Sequence, residues 1–408
     1  MRHVIIGAGA AGIMAAKTIR SCDADAVIVV VSEDRFVHSR CMLHKFISGE
    51  RDEQGLNFAG EDFFREQDIT WIGGAIVQKI QDDAHEIVIL REGHKERIAY
   101  DKLLIATGAN SFMPPVGDFR QAKNVFGLRH LSDAQKICHA VKDHSRILVV
   151  GSGLVGLDAA YALLERGLEV SVVEMADRIL PIQLDATGAK AYEALFEKAG
   201  CQFYLGKKAS QTLMNEDGMI HTVILDDGTE LGCDVIIVAA GVRPAIDCVA
   251  GSNIQAERFI EVDDHMATTA QDVYAAGDVT GRSGIWPNAQ KQGQIAGYNM
   301  CGMEMKYVDT YAMKNTINFY GLATLSLGRG EVQEGDEVLL REDSRTYKKA
   351  IIRDGVLDSI TLQGDMDYSG IYQYLIKNKI ALPEEKDVFH LNFGDFYGIE
   401  ADGQYIYA

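Results

Sequence analysis

Two short stretches carry the residues that chemistry would use first. His3-Val4-Ile5-Ile6-Gly7-Ala8-Gly9-Ala10-Ala11-Gly12 recurs 144 positions later as Ile147-Leu148-Val149-Val150-Gly151-Ser152-Gly153-Leu154-Val155-Gly156. In both copies an apolar run of strand length enters Gly-x-Gly-x-x-Gly. Small and aliphatic residues at helical spacing follow, Ile13, Ala16 and Ile19 in the first copy, Leu157, Ala160 and Leu164 in the second. A second apolar run then ends on acid, 26–31 with Glu33 and 170–173 with Glu174. The first glycine permits a tight turn, the second lets the backbone approach a pyrophosphate, and the third lets helix pack closely on strand. The pyrophosphate sits on free N–H groups at the positive helix end, while the carboxylate takes the ribose hydroxyls of the adenosine half. One such motif is a weak signal. Two, each with strand, helix and acid in place, point to two dinucleotide sites, one holding its nucleotide and the other receiving it as substrate.

Three further stretches repeat a strand that ends in small or acidic residues. They are Tyr100-Asp101-Lys102-Leu103-Leu104-Ile105-Ala106-Thr107-Gly108, the run from Cys233 to Gly241-Val242-Arg243-Pro244, and Asp272-Val273-Tyr274-Ala275-Ala276-Gly277-Asp278. With these in order, residues 1 to about 305 resemble the FAD-dependent pyridine nucleotide-disulfide oxidoreductases. The resemblance implies an α/β fold of two Rossmann-like dinucleotide-binding domains, one inserted in the other, followed by a C-terminal α+β domain. Residues 1–112 and 246–308 would form the FAD domain, 113–245 the NAD(P)H domain, and 309–408 the third. In the last, alternating strands meet at an Asp354-Gly355 hairpin turn, and a helix over 370–379 follows.

The resemblance also assigns residues. Gly7, Gly9, Ala10, Ala11, Gly12, Glu33, Arg40, Lys45, Val77, Ala106, Thr107, Gly108, Gly277 and Asp278 would hold tightly but non-covalently bound FAD, with Asp278 on the ribityl chain. Asn288, Ala289 and Gln290 would aim a helix start at the flavin, and Lys314 would enter the third domain near it. Gly151, Gly153, Leu154, Val155, Gly156, Glu174 and Gly241 would bind NADH as co-substrate. Glu174 with Asp177 should disfavour the extra phosphate of NADPH, against which Arg178 is the one nearby cation.

Around residue 41 the disulfide reductases carry Cys-x-x-x-x-Cys, whereas this chain reads Ser39-Arg40-Cys41-Met42-Leu43-His44-Lys45. Arg40, Leu43 and Lys45 match the branch of rubredoxin reductases, oxygenase ferredoxin reductases and nitrite reductase flavin subunits, with Cys41 in place of that branch's proline. The match implies catalytic roles for Lys45, beside the flavin, and for Asp158, its ion-pair partner, both charged at neutral pH. Cys41 is either a packing residue or a redox thiol activated by Arg40 or Lys45, as in single-cysteine NADH oxidases and CoA-disulfide or persulfide reductases. Trp286 either shields the nicotinamide pocket or packs. The expected activity is transfer of electrons from NADH through flavin to a small redox protein such as rubredoxin. The alternatives are the Cys41-dependent reactions and a non-catalytic nucleotide-binding subunit.

Composition agrees with an enzyme. Of 408 residues, 47% are hydrophobic and 24% charged, enough apolar surface for large cores. A net charge of −19 disfavours nucleic acid and anionic membranes as partners. No apolar run is long enough for a membrane span, and residues 1–17 read as strand, turn and helix rather than a signal peptide. Seven scattered cysteines without Cys-x-x-Cys form neither a disulfide framework nor a metal site, and outside position 41 they read as core or surface thiols of a cytoplasmic protein. Assembly stays open between a homodimer and a complex with a partner subunit.

Overall fold

The computed structural model describes residues 1–308, 314–328, 330–383 and 387–407; the first residues assigned to the third domain, 309–313, lie outside the described set. The chain forms two compact units. The helices used below are α1 (Ala10–Cys22), α2 (Leu43–Ile47), α3 (Phe63–Glu66), α4 (Leu131–Ala140), α5 (Leu154–Leu164), α6 (Ala186–Lys198), α7 (Trp286–Met300) and α8 (Ser369–Asn378).

The first unit spans Met1–Gly151, Val155–Val170 and Ala209–Ala312. Its central sheet is parallel, with strands in the order Val273–Ala275, Lys102–Ile105, Arg2–Ile6, Val27–Ser32, Ile69–Gly73. The β-branched run Val27-Ile28-Val29-Val30-Val31 suits a strand covered on both faces. Alternation sorts its side chains into two cores. Ile5, Val30 and Leu104 join α1 and α7 on one face, while Val4, Ile6, Val29, Val31, Leu103 and Ile105 join Ile80, Ile87 and Ile89 on the other. Those three isoleucines belong to an antiparallel meander, Ala75–Gln81, Glu86–Arg91 and His94–Ala99.

Helices α1 and α7 lie unusually close. A Cβ added at Gly293 would stand 2.1 Å from the Ala11 carbonyl oxygen, and one at Gly297 would stand 2.9 Å from Thr18 Cβ and 3.1 Å from the Ala15 oxygen. Only glycine fits that seam. The same unit holds a second parallel set, Arg146–Val150, Val235–Val238 and Val125–Gly127.

The second unit comprises Ser152–Leu154, Ser171–Lys208 and Met313–Ala408. Its antiparallel sheet runs Lys314–Phe319, Leu322–Leu327, Val356–Gln363, Tyr347–Arg353, Glu337–Glu342. Asp354 (φ 53°) and Gly355 (φ 75°) make the expected two-residue turn, and α8 occupies Ser369–Asn378, one residue earlier at each end than expected. The sheet does not stand alone. Buried Tyr192 of α6 donates to the Leu322 oxygen at 2.7 Å and shares a second hydrogen bond with Thr324 Oγ1 at 2.8 Å, and Lys349 Nζ pairs with Asp185 at 2.9 Å.

Candidate functional site

The carboxyl ends of the first unit's parallel strands open into one pocket, the usual place for a ligand on such a sheet. Of the residues expected around FAD, Gly7, Gly9, Ala10, Ala11, Glu33, Arg40, Val77, Ala106, Thr107, Gly108, Gly277, Asp278 and Ala289 line it, as do Cys41 and Trp286. Trp286 also meets Phe58 edge-to-face at 4.7 Å and packs on the α1–α7 core. Gly12 lies behind the pocket, where a Cβ would stand 1.9 Å from the Gly7 oxygen. Asn288 is buried on α7 beside Ala289, but neither it nor Gln290 lines the pocket. Lys45 is not a lining residue either. Lys314 belongs to the second unit, where its Nζ donates to Gln373 Oε1 at 2.7 Å.

Arg129, His130 and Asp34 also line the pocket and were not singled out from sequence. Asp133, in the first turn of α4, accepts the backbone N–H groups of both Arg129 and His130 at 3.0 Å and so fixes the loop that presents them. Arg129 bonds the Asp278 carboxylate and donates to the Ala109 oxygen at 3.1 Å. Arg40 pairs with Asp34 at 3.1 Å. Burial pushes the Asp34 carboxyl up, but the His130 hydrogen bond and the Arg40 charge outweigh it and hold the group at about 2. Arg129 and His130 fall in the segment read as the nicotinamide domain, so only their proximity to a His-capped helix start could have flagged them.

These residues fit FAD. Arg40 Nε is buried and has no hydrogen-bond partner among the described residues, and Arg40 NH1 would lie 3.7 Å from a Cβ placed on Gly9. An anion at the start of α1 would therefore meet backbone N–H groups of the first helical turn and the Arg40 guanidinium, the kind of donor set a pyrophosphate takes.

The acid–base residues are arranged differently from expectation. Lys45 Nζ pairs with Glu50 at 2.7 Å, and Asp158 lies 3.6 Å from His44 Nδ1 instead. Glu50 follows the same short helix α2 and reaches the ammonium from five residues away, whereas Asp158 stands on α5. Burial raises the Asp158 carboxyl to about 7 against the opposing Lys45 charge. Burial, then the Lys45 charge, lowers His44 to about 4. The expected doubly charged pair is thus replaced by a neutral imidazole facing a carboxyl that titrates near neutrality.

The pH dependence follows. From about 4 to 6.5 the unfolded chain protonates His44 and the folded chain does not, so that group makes stability rise with pH. From 3.8 to about 7 the folded chain keeps a proton on Asp158 that the unfolded chain has lost, so that group makes stability fall. Replacing Asp158 with Asn removes the second effect. With 29% of the side chain accessible, D158N should exceed the parent by about 1 kcal/mol at pH 8 and by less at pH 5.5 in urea unfolding. An advantage that fails to grow with pH would sink this.

Cys41 lines the pocket and is exposed, yet the packing about its sulfur raises the thiol pKa, outweighing Arg129 and Arg40. Burial thus works against the neighbouring cations at Cys41.

The second glycine motif repeats the first in atomic detail. Gly151 and Gly7 have φ of 104° and 103°, their Cβ positions would meet the Ala239 and Ala106 oxygens at 2.6 and 2.2 Å, and a Cβ at Gly156 would meet the Gly151 oxygen at 2.0 Å. At Gly153 and Gly241 a Cβ would find no neighbouring atom within 4 Å, Leu154 and Val155 open α5, and Val155 is exposed. Glu174 accepts from Ser152 N and Oγ and from Ala176 N, each at 2.8 Å. Arg178 is held by the Leu184 and Pro181 oxygens and by Asp177.

Comparison with known proteins agrees with this geometry. Residues 1–293 match the pyridine nucleotide-disulphide oxidoreductase family, and residues 314–380 match the rubredoxin NAD+ reductase C-terminal domain. The chain is 31% identical over 405 residues to the NADH-dependent phenylglyoxylate dehydrogenase subunit epsilon of Aromatoleum evansii, covering 96% of this chain and 95% of that one. It is 28% identical to the NADH-rubredoxin oxidoreductase of Clostridium acetobutylicum, covering 89% and 91%. Among solved structures, an NAD-dependent persulfide reductase from A. fulgidus superposes with a TM-score of 0.81 at 25% identity, covering 92% of this chain and 76% of that one. Among the described residues no helix is long and apolar enough to cross a membrane.

Proposed function

The chain belongs to the pyridine nucleotide-disulphide oxidoreductase family, FAD-dependent enzymes that use NADH, and from that premise we propose that it passes electrons from NADH to a protein acceptor. Bound FAD supplies the conversion of a two-electron hydride donor to one-electron delivery. The observation that carries the reading is the match of residues 314–380 to the rubredoxin NAD+ reductase C-terminal domain, joined to a likeness over most of the chain to an NADH-rubredoxin oxidoreductase. Burial raises the Cys41 thiol pKa, which lowers its reactivity toward disulfide or persulfide sulfur and supports the same reading. The acceptor is a small electron-transfer protein such as rubredoxin; the full-length likeness to a dehydrogenase subunit supports a redox partner within a complex by the same route.

In this reading the chain's own groups position and polarise. Arg40, Arg129 and the start of α1 hold the pyrophosphate, and Glu33 takes the ribose hydroxyls. The start of α7 presents its positive end toward charge gained by the ring. The segments 1–112 with 246–308 are assigned to FAD and 113–245 to the nicotinamide substrate. Cys41 keeps a second reading alive, because it lines the pocket and a persulfide reductase shares the fold. Steady-state NADH oxidation with rubredoxin, oxygen and CoA-disulfide, for the parent and Cys41→Ser, separates them. Rubredoxin turnover that survives C41S supports the proposal, and CoA-disulfide turnover abolished by C41S replaces it.

NADH should be preferred over NADPH. Glu174 is pinned at the strand end by three hydrogen bonds, and a 2′-phosphate there would face its charge and that of Asp177. Arg178 spends its donors on two carbonyls and Asp177, so it is not poised to compensate. Discrimination of about 2 kcal/mol, roughly thirtyfold in kcat/KM, is expected. Arg178→Ala should leave the ratio nearly unchanged, whereas equal turnover of the two nucleotides would show that Arg178 governs the site.

A further inference from the structure

The glycine seam between α1 and α7 has a definite register. Gly293 faces Ala11, and one turn on Gly297 faces Ala15 and Thr18. Four residues after Gly297 comes Cys301, the residue that caps α7, and four after Thr18 comes Cys22, the last residue of α1. The register brings the two thiols together there, and Cys22 stands close enough to raise the Cys301 pKa. Both are partly accessible, while Cys201, Cys233 and Cys248 are buried. The helices run in the same direction, and the starts of both, Gly9–Ala11 in one and Trp286 with Ala289 in the other, line the FAD pocket. The cysteines thus lie at the far end of the two elements that frame the cofactor.

We propose that Cys22 and Cys301 are a reversible modification site, forming a disulfide on exposure to a hydroperoxide and so stapling α1 to α7 behind the FAD pocket. The Cys22 sulfur attacks the peroxide, an S–O bond forms as O–O breaks, and the first water leaves. The Cys301 sulfur then attacks the Cys22 sulfur, S–S forms as S–O breaks, and the departing hydroxide takes the Cys301 proton as a second water. Two thiols are oxidised and one hydrogen peroxide is reduced to two waters. Burial, with Cys22 beside it, raises Cys301 to about 12, so Cys301 is the thiol less apt to meet the peroxide first. The staple closes a loop of 279 positions, long enough for a marked effect on the unfolded chain.

The test uses the FAD-loaded protein, treated with hydrogen peroxide, acid-quenched, alkylated and mapped without reduction. A cross-linked peptide containing Cys22 and Cys301, lighter by two hydrogens than the separate thiol peptides, is expected. With it should come a rise in Tm of roughly 5 °C and about threefold slower FAD release, both reversed by dithiothreitol. Cys22→Ser and Cys301→Ser should each lose the cross-link and both shifts. The parent compared before and after reductant gives the same answer without a variant, and mapping in a Cys41→Ser background keeps the pocket thiol out of the result. Recovery of Cys22 and Cys301 as separately alkylated peptides after peroxide treatment would overturn the proposal, as would a cross-link that leaves Tm unmoved by reductant.

Discussion

Replacing Arg129 with Leu should strip FAD from the protein during ordinary purification. The guanidinium bonds the Asp278 carboxylate and is anchored on the Ala109 oxygen, and about a fifth of either side chain is accessible. Removing it deletes one positive group from the anion site and leaves Asp278 uncompensated against a negatively charged cofactor. Loss of one partner from a largely buried pair costs about 3–5 kcal/mol, which partial exposure here reduces to roughly 2–4. That corresponds to FAD binding weakened by about 30- to 1000-fold. Arg129→Lys should fall between, keeping the charge but not the two-pronged donor geometry. Fluorescence titration of the apoprotein with FAD measures this directly; a dissociation constant within twofold of the parent would show that Arg129 does not face the cofactor.

The second large effect concerns Gly293. In an exposed helix interior, glycine to alanine stabilises by about 1 kcal/mol through reduced chain entropy. At Gly293 the sign should invert, because the new methyl would stand 2.1 Å from the Ala11 carbonyl oxygen, and backbone on both sides leaves nothing flexible to yield. Separating α1 from α7 opens the core around Ile13, Ile295 and Ala296, so a loss of about 3 kcal/mol or more is expected, with reduced FAD content. Gly370 of α8 is the control, since nothing lies within 4 Å of its Cβ position and alanine there should be neutral or slightly stabilising. Calorimetry of both variants tests the contrast. Equal behaviour at the two sites would mean that the helices part at little cost.

The parts legible in sequence were those set by local rules. Both glycine motifs sit at strand–helix turns because each needs positive φ at its first residue and a missing Cβ at its third, and those demands are written in residue type. The Asp354-Gly355 turn was readable for the same reason. Arg129 was not, because a lone Arg-His pair after a short strand has no periodicity, and its partner Asp278 lies 149 positions away. Lys45 was matched to Asp158 by family pattern, while the nearer Glu50 had the geometric advantage. Cys22 and Cys301 looked like scattered thiols because only the packed register of two helices brings them together.

The split parallel sheet has a consequence for how the chain is made. Ile105, on the strand second from the sheet's edge, waits for Ala275, 170 positions later, and α1 waits for α7 beyond that. While the ribosome builds the intervening stretch, the first glycine motif stands on an unfinished sheet, with the apolar face of α1 uncovered. Contacts of such long separation form slowly and leave sticky surface open in the meantime. The strands at 125–127, 146–150 and 235–238, in contrast, lie within one continuous stretch and have their parallel partners before residue 239 is reached. The nascent protein should therefore acquire this second parallel sheet first, and competence to capture FAD only when synthesis passes α7, at roughly three-quarters of its length.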